Sequence, residues 1–504
     1  LVARRRSAAL AVLLLCVFTA SVDVTIVNVA LPSMGVAFGA GTSTLQWVVD
    51  AYNIVLAGLL LLGAGIADRL GRKRVYLTGY AVFGVGCLVA AFASSAHSLI
   101  AARVVTGVGA AFVLAPSLAI LGTIYPPEQR SRAIALWAMV GGAGIAVGPV
   151  VGGVLLSEFW WGSVFLVNVP VVMIGVVLGA RLLPESRRPD NGRLDPLGAV
   201  LSVAGLGVAL FGVIEGPSRG WSAPVVLVSL IGGSALLIAF VWWESRSTHP
   251  MFDVSVLSRR AVRLGAAVLV LTYICFTSML FLVPQYLQSV EGHSVIEGGL
   301  LLVPFAVAFA VTSSQVPKSM ERIGEPRLLM IGSAQLAVAV GLLAVASQFG
   351  GTPAVLIATA LMGVGIGLLI TPASTVTMND LPAERAGEGS ATNMVSRYVG
   401  AALGVALTGT VFASVYSQHV ANRLQSASSR TVEEARAGIH AALVRSDQLG
   451  GAAGDEVARA ARASFEAGMT AAFATLCVLC AVGAVAVRFA ASTTAQSRRP
   501  RHNG

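Results

Sequence analysis

Asp68-Arg69-Leu70-Gly71-Arg72-Lys73-Arg74, followed by Gly79, returns later in the chain as Glu321-Arg322-Ile323-Gly324 with Arg327 and Gly332, at an offset of 253 residues. Beyond it, Gly107-Val108-Gly109, Pro116, Glu128 and the pair Gly144/Gly148 return as Gly363-Val364-Gly365, Pro372, Glu384 and Gly400/Gly404, all at an offset of 256. So many Gly, Pro and charged positions in register mark an internal duplication. Each copy holds six apolar stretches long enough to cross hydrocarbon, and two more lie between the copies. The sequence therefore predicts an all-α polytopic membrane protein with 14 transmembrane helices: two parallel six-helix halves and an extra two-helix hairpin. Expected segments are a first half at 1–190, the hairpin at 191–250, a second half at 251–490 and a cytoplasmic tail at 491–504. The second half includes a long external loop at 417–466.

Composition agrees. Of 504 residues, 56% are hydrophobic and 12% charged, with a mean hydropathy of +0.81. Soluble domains carry roughly 25% charged residues. The spans fall near 8–31, 45–64, 75–93, 98–122, 133–156, 162–183, 195–214, 222–243, 264–287, 297–316, 328–347, 354–378, 389–416 and 467–488. The first follows Arg4-Arg5-Arg6 but contains Asp23 and Asn28 and exceeds a signal-peptide core in length, so it reads as a retained span. Cys16, Cys87, Cys275, Cys477 and Cys480 all lie in apolar stretches and read as small core residues.

Charge sets the orientation. With a cytoplasmic N-terminus, inside segments hold 25 of the 34 Lys and Arg residues, and short outside loops hold only Arg219. Arg103 and Arg397 lie within spans, and six arginines sit in 417–466, which is too long to obey the rule. This bias predicts a cytoplasmic (inner) membrane protein with both termini in the cytoplasm. It directs the net charge of +10 toward lipid head groups, not nucleic acid. In 417–466 six acids balance the arginines, and Thr431 with Glu434 predicts a capping box, so a solvated external appendage is expected.

Four motifs carry chemistry. Asp23-Val24-Thr25-Ile26-Val27-Asn28-Val29-Ala30-Leu31-Pro32 puts a carboxylate inside hydrocarbon, at a cost of roughly 2.5–3.5 kcal/mol that argues for a function. Thr19 shares its helix face. Asp68, Arg69, Gly71, Arg72 and Arg74 form a cytoplasmic loop in which an acid among arginines can latch one conformation, with Gly71 permitting the turn. Arg103, followed by Gly107 and Gly109, is an intramembrane cation that requires an acid or carbonyl partner. Gly144, Gly148, Pro149, Gly152 and Gly153 give the fifth span a small-residue face that allows close helix approach and a kink. Gln46, Asp50 and Asn53 line one face of the second span as a polar stripe. Asp23, Asp50 and Arg103 fall at similar depths, which permits a cluster.

Together these motifs resemble the fourteen-span drug:proton antiporter family of the major facilitator superfamily. Asp23 to Pro32 is similar to its first-span signature, and Asp68 to Arg74 to its general loop motif. Arg103 with Gly107 is similar to its fourth-span motif, and Gly144 to Gly153 to its antiporter motif. The resemblance implies a substrate site between the halves and proton coupling through Asp23 and Arg103. Two departures stand out: Ala64 replaces the glycine that usually begins the loop motif, and 297–316 lacks the extra acid found in some multidrug members, apart from Glu297 at its boundary.

The expected function is proton-coupled export of a drug, antibiotic or endogenous toxic metabolite, conferring resistance. The substrate cavity would be lined by Asp50, Gln46, Asn53 and Thr19. Partners would be a small lipophilic or amphiphilic substrate, protons and the bilayer, with a monomer as the unit and no cofactor beyond the proton gradient. The sequence has no GxxxxGK[ST] loop for ATP, and its six histidines (His97, His249, His293, His419, His440, His502) are scattered and form no metal constellation, so an enzyme is not expected. Rival readings are an uptake symporter and a non-transporting sensor or scaffold.

Overall fold

The structure, a computed structural model, describes residues 2–125, 127–187, 195–247, 250, 253–381 and 386–497. Among these residues, 14 helical spans are long and apolar enough to cross a membrane, and no strand is present. The first five spans are α1 (Val2–Phe38), α2 (Thr42–Leu70), α3 (Arg72–Ala91), α4 (Ala96–Ile124) and α5 (Pro127–Glu158). The sixth is interrupted at Val167, giving α6 (Ser163–Leu166) and α7 (Asn168–Leu182). The hairpin is α8 (Pro196–Arg219) and α9 (Pro224–Arg246); Asp195 caps α8 by accepting from the Gly198 amide. Span nine is α10 (Arg260–Gln285), ending in a π-helical turn at Tyr286–Val290, and span ten joins α11 (Val295–Leu300) to α12 (Val303–Ile323). Next come α13 (Glu325–Phe349), α14 (Gly351–Asn379) and α15 (Ala386–Arg423), then the short α16 (Ser429–Arg436) and α17 (Ile439–Leu449). The last is α18 (Gly451–Ser497).

Two expectations are corrected. α1 continues past Pro32 to Phe38, because its inward face stays apolar through the fully buried Met34 and one missing N–H does not end a packed helix. The cap of α16 is Ser428, not Thr431: the Ser428 hydroxyl accepts from the Thr431 amide at 3.2 Å. Glu434 instead pairs with Arg430 at 2.8 Å and Arg445 at 3.3 Å, and this ion pairing holds its carboxyl below the usual range.

Glycine contacts display the duplication. A Cβ on Gly144 would press on Phe18 and Ser21 of α1, and one on Gly148 on Thr25. In the second copy Gly400 abuts Val270 and Tyr273 of α10, and Gly404 abuts Thr277. The α5–α1 seam thus recurs as α15–α10, with α1 positions reappearing in α10 at an offset of 252. Likewise Gly107 and Gly109 seat α4 on α2 and α3, while Gly363 and Gly365 seat α14 on α12 and α13.

The chain forms two compact units. Unit 1 comprises Leu1–Asp253, Leu280–Val303 and Val405–Gly468. Within it α8 lies on α2, where the Ser202 hydroxyl donates to the Gly58 carbonyl at 3.3 Å. The 417–466 segment also belongs here and is docked rather than wholly solvated: the Thr42 amide donates to the Ala437 carbonyl, and His440 is buried against Gly35 and Ser289. Unit 2 comprises Val254–Met279, Pro304–Gly404 and Met469–Gly504. In it the Cys275 and Cys480 thiols lie 3.2 Å apart in an apolar core.

Candidate functional site

Asp23 is fully buried on α1, and two donors divide its carboxylate. Arg103 Nη1 reaches Oδ2 at 2.7 Å, and Asn168 Nδ2 reaches Oδ1 at 3.2 Å. Arg103 is held in turn: its Nε donates to the Val48 carbonyl at 3.1 Å, and its guanidinium lies over the Tyr52 ring at 4.4 Å. Asn168 is the first residue of α7, so the break in span six aims its amide at Asp23. Removing one partner of a buried ion pair strands the other charge at about 3–5 kcal/mol, so protonating Asp23 would loosen Arg103 and the helices it joins.

The three similar depths do not become one cluster. Asp50 is also fully buried, yet neither carboxylate oxygen has a hydrogen-bond partner among the described residues. Asn53, on the same helix face, leaves its Oδ1 without a partner as well. Gln46 spends its amide on the Val405 and Ala406 carbonyls, both at 3.1 Å, which ties α2 to α15. Thr19 donates to the Leu15 carbonyl and accepts from the Tyr80 hydroxyl at 3.2 Å, so it has no bond to Asp23. All three stripe residues keep buried acceptor oxygens with capacity left, Gln46 Oε1 and Asn53 Oδ1 as neutral acceptors and Asp50 as the acid.

At the loop, Gly71 takes φ +112°, a left-handed conformation that a side chain resists. Arg72 bonds Asp68 at 2.7 Å and reaches toward the Ala119 carbonyl of α4. Glu185 completes the arrangement, accepting from the Lys73 amide at 3.2 Å and pairing with Arg74 at 3.8 Å. On α5, Gly144, Gly148 and Gly152 face α1, while Gly153 abuts Ile296 and the Pro149 carbonyl abuts Gly299. Glu297 is committed to a capping box with Ser294 at the start of α11.

A duplicated six-span unit, the loop at Gly71, and an acid–arginine pair buried between α1 and α4 are now in place. The chain belongs to the Major Facilitator Superfamily. The pattern of that family matches residues 13–405. The chain is 34% identical over 411 residues to the multidrug resistance protein Stp of Mycobacterium tuberculosis, covering 81% of this chain and 76% of that one. It is 34% identical over 486 residues to the multidrug efflux pump LfrA of Mycolicibacterium smegmatis, covering 95% and 96%. Among solved structures it resembles a bacterial homologue of the human lysosomal transporter Spinster, in an inward-facing, unoccupied conformation, with a TM-score of 0.69, 18% identity and 99% coverage of both chains. The protein is a multi-pass membrane transporter of two six-helix halves and an extra hairpin.

Asn168 and Glu185 are the site residues that sequence reading misses. The signal for Asn168 is faint: an amide in an otherwise apolar run, just before Pro170 and directly after a helix break. For Glu185 it is the first acid after span six, paired with Arg74 of a loop it meets only in space.

Proposed function

We propose that this transporter is a proton-coupled antiporter exporting a drug, antibiotic or toxic metabolite across the cytoplasmic membrane, and that it confers resistance. The buried Asp23–Arg103 pair carries the reading, because it is the arrangement through which one proton can change how α1, α4 and α7 hold together. Asp23 takes a proton as substrate leaves and gives it up on the cytoplasmic side. Asp50, with both oxygens free for a ligand, selects cationic groups on the substrate. The names of the relatives support export rather than uptake. No cofactor beyond the proton gradient is required, and the unit is a monomer with both termini in the cytoplasm.

Detergent-solubilised protein tests this division, with ethidium as the probe. Asp23→Asn should abolish substrate-induced proton release while binding persists. Asp50→Asn should weaken ethidium by about 1–3 kcal/mol, the scale of a lost charged contact, and leave proton release in place. Equal damage to both readouts from both variants would make the two acids one coupled site and end the division. In proteoliposomes, a proton gradient that drives the dye with the protons rather than against them would overturn antiport.

A further inference from the structure

The duplication isolates a second intramembrane arginine. By the glycine seams, Arg397 on α15 stands where the first copy has Gly141, and its neighbour Tyr273 on α10 stands where the first copy has Ser21. Gly141 rests against Val17 and Ser21, so the seam itself calls for a small residue at this position, not a guanidinium. Nor does Arg397 mirror Arg103. The second-copy equivalents of Arg103 and Asp23 are Thr359 and Cys275, so the position that pairs with the arginine in the first copy holds no acid in the second.

Arg397 is half-buried over the Tyr273 ring at 5.6 Å. Among the described residues it has no carboxylate partner and no hydrogen bond, and its Nε is buried without an acceptor. One turn before it, Asn393 donates to the Ser374 carbonyl at 3.3 Å, while Asn393 Oδ1 and the Ser374 hydroxyl are buried without partners. Helices α14 and α15 of unit 2 thus carry polar groups with unused capacity, and α10 adds the Tyr273 ring. From Tyr273 a run of rings leads away: Phe276 at 6.0 Å, then Phe305 stacked on it at 5.8 Å, then Phe309 stacked at 6.4 Å.

An intramembrane guanidinium without an internal counter-charge calls for an external one. Its planar fork matches a carboxylate, and the rings offer flat apolar surface beside it. We propose that Arg397, with Asn393 and Ser374, forms a subsite for the acidic group of an aromatic substrate whose ring system lies along Tyr273 and Phe276. It rests on the export reading only in taking that occupant to be the exported molecule.

The test measures fluorescence polarisation of full-length protein in detergent, without a gradient, using a free-carboxyl rhodamine dye and its methyl ester. The unaltered protein should bind the acid at least as tightly as the ester. Arg397→Gln should weaken the acid about tenfold and the ester less than about twofold, with Arg397→Lys intermediate, because bidentate pairing is lost before charge. Should Arg397→Gln fail to elute as a monodisperse species, Arg397→Lys carries the comparison, with a loss of about threefold expected for the acid alone. Equal effects on both dyes, no effect on either, or no binding of the acid by the unaltered protein would overturn the subsite. Because no gradient is applied, failure of proton-driven export would sink the antiport reading while leaving this result standing, and the reverse holds.

Discussion

One carboxylate with two donors sets what each residue around Asp23 contributes. Arg103 supplies charge to Asp23, whereas Asn168 supplies only a hydrogen bond to the ionised form. Asn168→Leu removes that donor, so the pH profile of gradient-driven export should move in the alkaline direction. Asn168→Gln should partly restore it. A lower maximal rate with an unmoved profile would reduce Asn168 to packing. Asp23 and Arg103 are legible in sequence because a formal charge stands out in an apolar run. Asn168 is not, because an amide carries no such cost and its partner lies 145 residues away. Gln46 shows the opposite failure: it reads as cavity-lining, yet the fold uses it as a strut to α15.

Two connecting elements tie separate helices together through local contacts. In the Gly71 loop, Asp68 fixes Arg72, which reaches α4. Asp68→Asn should lower turnover roughly tenfold, given the worth of a charged hydrogen bond, with dye binding unchanged. Full turnover would make the loop a charge anchor only. The second element is α17, docked through His440, whose burial pushes its imidazole down to about 4. The folded state therefore binds fewer protons than the unfolded state between pH 4 and 6.5, and docking is fully stable only above that window. Acidification from 6.5 toward 4 should cost up to about 3 kcal/mol of docking. Hydrogen exchange of 439–449, corrected for its intrinsic pH dependence, should quicken over that range in the unaltered protein and not in His440→Leu. Equal pH responses would detach the docking from His440. That docking is invisible in sequence, where balanced charges in 417–466 read as a solvated appendage; the neutral contacts at Gly35 and Thr42 that hold it leave no charge signature.

At the scale of the whole chain, the duplication and the charge bias constrain each other. The loop at Gly71 lies between spans two and three, and its copy at Gly324 lies between spans ten and eleven, so eight spans separate them. An even number returns both loops to one side, which requires the insert between the halves to be a pair of helices and not one or three. The charges agree independently, since both loops are basic and the positive-inside bias predicts one side, the cytoplasm, for both. Single cysteines placed at Arg74 and Arg322 should therefore react with a membrane-impermeant maleimide only after permeabilisation, while cysteines at Ser94 and Gln348 should react in intact cells. The native cysteines give little background, because four are buried and Cys477 is half-buried in an apolar helix. Labelling of Arg74→Cys and Arg322→Cys from opposite sides would break the parallel repeat itself. Labelling of both from outside would keep the repeat and invert the chain, and with it the direction assigned to transport.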